Sequence, residues 1–198
     1  MNKPNNYDTT SSGDFTPIEL GGHYMIIKKL EEGKSKAGAP MLTVYFDFTD
    51  PDRQKGYFMQ SFKDDIRPEK KWPNAGTTYV LTEDQNGNCS RNFKRFITSV
   101  EKSNNGFSVK WGLDFADQFK DKRIGGVFGI VEEEYNGKVS KRHKLRWVCS
   151  WDAVESAKIP EAKLLNTVSG ISGVSPVTSE GGYITDIPEW VNEEVPWK

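Results

Sequence analysis

Five strand-like segments and one amphipathic helix, in the order three strands, helix, two strands, predict a mainly β fold for this 198-residue chain. Apolar and polar residues alternate in the strand segments, and glycine, proline and asparagine clusters separate them. The first segment is "HYMIIKKLEE", 23–32, followed by the glycine-bearing loop "GKSKAGAP". The second, "MLTVYFDF" at 41–48, sets Leu42, Val44, Phe46 and Phe48 on one face and Thr43, Tyr45 and Asp47 on the other. After the turn "TDPDRQKG" the run "YFMQSF", 57–62, is read as the third strand. Residues 63–90 show no pattern, and connections of that length are usually functional or mobile.

"RNFKRFITSVEKSNNG" carries Phe93, Phe96, Ile97 and Val100 at helical spacing, with Asn104-Asn105-Gly106 as the stop. The fourth strand is "RIGGVFGIVEEEY", 123–135, whose three glycines predict bulges or close backbone approach. Asn136-Gly137 suits a hairpin turn needing positive φ, and "HKLRWVCSW", 143–151, is the fifth strand. Shorter helical pieces are expected at 115–122 and 152–159. Three strands, a helix and two strands is the order of the OB-fold, a five-stranded, partly open barrel. The domain is expected over 16–160, between a disordered segment 1–15 and a polar, breaker-rich linker 161–182 that leads to an acidic-aromatic tail, 183–198.

The net charge of −1 conceals an asymmetry: residues 161–198 hold six acids and two lysines, −4, which leaves +3 on residues 1–160. A mildly basic body with an acidic tail suits a body that meets a polyanion. Two cysteines are too few for a disulfide framework, and no run approaches the ~20 apolar residues of a membrane span. The chain therefore reads as cytosolic. Enzymatic signatures are poor, because His23 and His143 lie near no nucleophile and no phosphate-cradling glycine loop occurs. Neither a catalytic residue nor a cofactor is expected. Asp64, Asp65 and Glu132–Glu134 could form a metal-dependent nuclease site, but acids at a strand end are more often a solvated edge.

Binding signatures are stronger. Lys138, Lys141, Arg142, Lys144 and Arg146 surround the turn between the last two strands, while Lys28, Lys34 and Lys36 flank the turn between the first two. In an OB-fold these turns wall the oligonucleotide groove. Phosphates need positive charge spread along a track, and unpaired bases stack on exposed rings. Tyr45 is either such a ring or a residue covered by a loop. Tyr57, Tyr79 and Trp72, the last beside Lys71 in the unpatterned stretch, are further stacking candidates. Surface lysines that protect strand edges are the plainer reading of each cluster alone.

The chain ends "DIPEWVNEEVPWK". Together with the fold order, "DIPEW" and "EEVPW" resemble the acidic, proline-aromatic terminus of bacterial and phage single-stranded DNA-binding proteins. "GGHYMIIKKLEE", "LTVYFDF", "KGYF", "NFKRFITSVEKSN", "IGGVFGIVEEEYNGKVSKR" and "IPEAKLL" resemble a group of uncharacterised Gram-positive phage and prophage proteins encoded near replication and recombination genes. That likeness covers roughly residues 20–165. It implies a role in DNA metabolism; joined to the basic turns, the candidate rings and the resemblance of the terminus, it makes non-sequence-specific single-stranded DNA binding in the cytoplasm of a bacterial host the leading expectation. It also implies that Asp186, Ile187, Pro188, Trp190, Glu193, Glu194, Val195, Pro196 and Trp197 recruit replication or recombination proteins. The usual terminus ends in phenylalanine bearing the free carboxylate, whereas Lys198 follows Trp197 here, which places tail docking in question. No membrane partner is expected, and a homo-oligomer stays open. The rival expectation is a protein-interaction adaptor that never touches DNA.

Overall fold

A computed structural model describes residue 3 and residues 16–165. The alternation in "MLTVYFDF" becomes β2 (Pro40–Phe48), whose Leu42, Val44, Phe46 and Phe48 are each at most 2% exposed. β1 (Gly21–Lys34), β3 (Thr77–Leu81), β4 (Arg123–Tyr135) and β5 (Lys138–Cys149) complete one antiparallel sheet in the order β3-β2-β1-β4-β5. β1 serves two neighbours. Its first half, Gly21–Ile26, pairs with β4, and Met25–Lys34 pairs with β2, with a register shift at Lys28.

The core lies on one face of this sheet. Phe46, Phe48, Phe58 and Phe128 meet at centroid separations of 4.9–6.2 Å, mostly edge-to-face as aromatic quadrupoles prefer. α2 (Arg91–Ser103) begins at Ser90, whose hydroxyl accepts from the Phe93 amide at 3.1 Å. Phe93, Phe96, Ile97 and Val100 are buried, as their spacing predicts, and the helix packs on β3, β4 and β5.

The third strand is a correction. Residues 57–62 form α1 (Tyr57–Lys63), and β3 lies instead inside the stretch read as unpatterned. Short apolar runs do not separate strand from helix by periodicity. Here the arbiter is distant: the Asp47 carboxylate, reaching from β2, accepts the amides of Phe58 at 2.9 Å and Met59 at 3.3 Å. Two otherwise orphaned helix donors are thereby satisfied. The signal for β3 was present in "TTYVL", β-branched and aromatic, between Pro73 and Asp84.

β5 starts five residues earlier than expected. Asn136 (φ 51°) and Gly137 (φ 73°) make a two-residue turn, so Tyr135 faces Lys138 directly. The close approach expected of the β4 glycines is met. A Cβ on Gly129 would sit 2.4 Å from the Pro160 ring, and one on Gly125 2.6 Å from Val154. The weaker helical pieces reduce to single 3-10 turns at Asp117–Phe119 and Trp151–Ala153.

Backbone pairing continues past residue 160. Lys163 donates to the Ile130 carbonyl at 2.9 Å and its own carbonyl accepts from Glu132 at 2.8 Å. The chain after β5 thus lies parallel along β4, beyond the point where β1 begins. It covers an edge that would otherwise offer unpaired amides. Residues 1–2, 4–15 and 166–198, and with them most of the expected linker and the whole tail, lie outside the described residues. Among the described residues no helix is long and apolar enough to cross a membrane.

Candidate nucleic-acid interface

The β4–β5 hairpin extends seven residues of β4 past its last partner on β1, Phe128↔Gly21. Its tip exposes Tyr135 (65%) and Val139 (53%) together with Lys138, Lys141 and Arg142. Two acids of β4, Glu132 and Glu133, answer the cations of β5. Lys141 lies 3.7 Å from Glu132, Arg142 lies 3.7 Å from Glu133, and Lys144 makes a short bond to Glu133. The two long pairs involve side chains about two-thirds exposed on the cationic side, a class worth little in water. Phosphate oxygens could displace them at small cost. Lys144, half-buried, is held more firmly.

Arg146 has another task. Its Nη1 donates to the carbonyls of Ile130 (3.3 Å) and Glu161 (2.9 Å), which staples the returning chain to β4. Guanidinium geometry suits this bridging role, and the arginine stands as a fastener in the fold.

At the other bend, Lys34 and Lys36 are exposed and Lys28 is half-buried at the β1 register shift. The pairing of β1 places this bend and the hairpin tip beyond opposite ends of the β1–β4 ladder. A trough between them therefore requires the sheet to curl.

The aromatic candidates divide. Tyr45 takes the covered alternative: it is 7% exposed and donates its hydroxyl to Glu31 at 2.9 Å. Burial, and then the Glu31 carboxylate, push its phenol well above the ordinary value. It offers no free ring face, so the stacking role read for it is corrected. Trp72, a stacking candidate in the unpatterned stretch, donates its indole N–H to the Gly76 carbonyl at 3.0 Å and rests against Phe62 and the core. Its neighbour Lys71 is half-buried, its amide bonded to Asp65. Tyr57 opens α1 and donates to the Thr16 carbonyl at 2.8 Å. Tyr79 pairs with Thr43 on the face of the sheet away from the core and remains half-buried. Asp186, Ile187, Pro188, Trp190, Glu193, Glu194, Val195, Pro196 and Trp197 lie outside the described residues.

Of the acids in the metal alternative, Asp64 accepts from Gln60, Glu132 and Glu133 pair with Lys141 and Lys144, and Glu134 is exposed. Asp65 accepts from the Arg67 guanidinium at 2.8–3.0 Å, which with the Lys71 and Arg67 amides holds it well below the usual carboxylate range. Among the described residues no three His, Cys, Asp or Glu side chains converge as a metal site.

Two exposed rings stand outside the candidates above, Tyr135 and Trp111. Trp111, 69% exposed, stacks one face on Phe115 (5.4 Å, 14°) and meets Phe93 of α2 at 6.1 Å. Nothing in local sequence separates these rings from core aromatics, because exposure is set by tertiary packing. No family model matches the chain, and no curated protein matches it either.

Proposed function

We propose that the protein binds single-stranded DNA without sequence preference, on an OB-fold barrel left partly open. One observation carries the reading. The strand order β3-β2-β1-β4-β5 is that of an OB-fold opened between its third and fifth strands, with α2 packed across that seam on β3, β4 and β5. The 3-10 turn at Asn74–Gly76, which leads into β3, also touches β5. In such a barrel the β1–β2 bend and the β4–β5 hairpin flank the oligonucleotide. Lys34, Lys36, Lys138, Lys141 and Arg142 would meet phosphates there, and Tyr135 would offer a ring for an unpaired base.

Recruitment of replication or recombination proteins by the acidic tail belongs to the same proposal and rests on the resemblance of "DIPEW" and "EEVPW" alone. So do a phage origin and a place in the host cytoplasm. A gel shift with oligo-dT and with duplex of equal length tests the reading. A shift of oligo-dT at low salt, outcompeting duplex, is expected; no shift of either would favour the adaptor alternative.

A further inference from the structure

The outward face of α2 carries cations and no facing acid among the described residues. Arg91, Lys94, Arg95 and Lys102 fall at i, i+3, i+4 and i+11, one stripe of the helix. They line a shallow depression of about 650 Å³ together with the hydroxyls of Thr98 and Ser150. No carboxylate, aliphatic or aromatic side chain lines it. Among the described residues none of the four cations has an ion-pair partner; the one acid on the helix, Glu101, accepts the Val109 amide at 3.0 Å. Beyond the helix C-terminus, Lys122 and Arg123 line a second depression, again without an acid.

Helix electrostatics provide an independent observation. The first turn of α2 holds no acid, yet Arg91 and Lys94 stand there. The positive end of the helix dipole repels them. Amphipathic helices normally place carboxylates at this end, and Arg91 and Lys94 there cost the free protein stability that an anion would restore.

We infer that this stripe is a second phosphate track, along which a single strand continues past the hairpin groove. The inference rests on the nucleic-acid reading above and extends it to a surface outside the usual OB-fold groove. The helix from Arg91 to Lys102 is about 16 Å long, against about 3.4 Å per phosphate along each strand of a duplex and more along an unstacked single strand, so at most about four phosphates match it. The chain's own acidic tail is the other conceivable occupant. Its Ile187, Trp190, Val195 and Trp197 would want an apolar seat, which the depression lacks.

The test replaces Arg91, Lys94, Arg95 and Lys102 with glutamine in the full chain and titrates long oligo-dT at several salt concentrations. Expected are a loss of affinity of about tenfold or more at 0.1 M salt and a log K against log[salt] slope shallower by about 2–3, near 0.7 per lost phosphate. The melting temperature should stay level or rise, since repulsion from the dipole is relieved. Wild-type Kd and slope in the variant would overturn the track while leaving the DNA reading intact. Failure of the wild type itself to bind would end both. A third background, with Asp186, Glu189, Glu193 and Glu194 changed to amides, identifies the occupant. A loss that persists there supports phosphates, and one that vanishes assigns the stripe to the tail and overturns the inference.

Discussion

Two buried carboxylates decide local structure, and they respond oppositely to acid. Asp52 accepts from the His23 ring at 3.0 Å and from the amides of Tyr24 and Gln54 at 2.9 Å, with both side chains of the His23 pair 4% exposed. Burial alone would raise its pKa, but these donors outweigh burial and hold it below the ordinary value. A depressed folded pKa stabilises above the unfolded value and is lost as pH falls through the folded one. Asp52→Asn should therefore cost about 3 kcal/mol near neutrality and flatten the acid limb of a melting-temperature profile between pH 6 and pH 2. An unchanged acid limb would remove Asp52 from its cause. Asp47 is shifted the other way, raised chiefly by burial against three amide donors, so its charged form weakens the fold as pH rises above the usual carboxylate range. Asp47→Ala should nevertheless destabilise, by about 2 kcal/mol in urea melts, because it orphans the amides of Phe58 and Met59.

At the scale of elements, the returning segment 160–165 and the hairpin it covers make a checkable unit. Gly129→Ala would drive a Cβ to within 2.4 Å of Pro160 and push the segment from β4. Faster amide exchange at Lys163, which donates to Ile130, and at Glu132, which donates to Lys163, is the expected result; unchanged protection would contradict the pairing. Strands β1, β2 and β4 and the helix α2 were legible because their periodicity extends over eight or more residues and agrees with their turn signals. α1 was not, since its six-residue apolar run has no period of its own and its cap comes from another strand. β3 is five residues long and lost inside a loop-like stretch. The site was less legible than the fold. Basic residues near the two bends are visible in sequence, but their pairing with Glu132 and Glu133 on β4, the staple made by Arg146 and the burial of Tyr45 are facts of register and packing. The stripe on α2 is not legible in sequence because an amphipathic helix is expected to carry a charged face, and only the structure shows that no acid among the described residues answers it.

At the scale of the molecule, charge and topology point the same way. The body carries +3 over residues 1–160 while the remaining residues carry −4. The structure distributes the body's cations on the hairpin tip, the β1–β2 bend and the α2 stripe. If the acidic tail competes with DNA for these surfaces, removing residues 183–198 should tighten binding several-fold at low salt and less at high salt, where the Debye length falls below ~10 Å. Equal or weaker binding by the shortened chain would exclude that competition. The most direct measurement is a fluorescence-anisotropy titration of the full chain with labelled oligo-dT from about 50 to 200 mM salt. A single strand held by several phosphate contacts predicts a Kd that worsens steeply and linearly on logarithmic axes, by about 0.7 per contact. Absence of binding at the lowest salt, or an affinity indifferent to salt, would contradict the account.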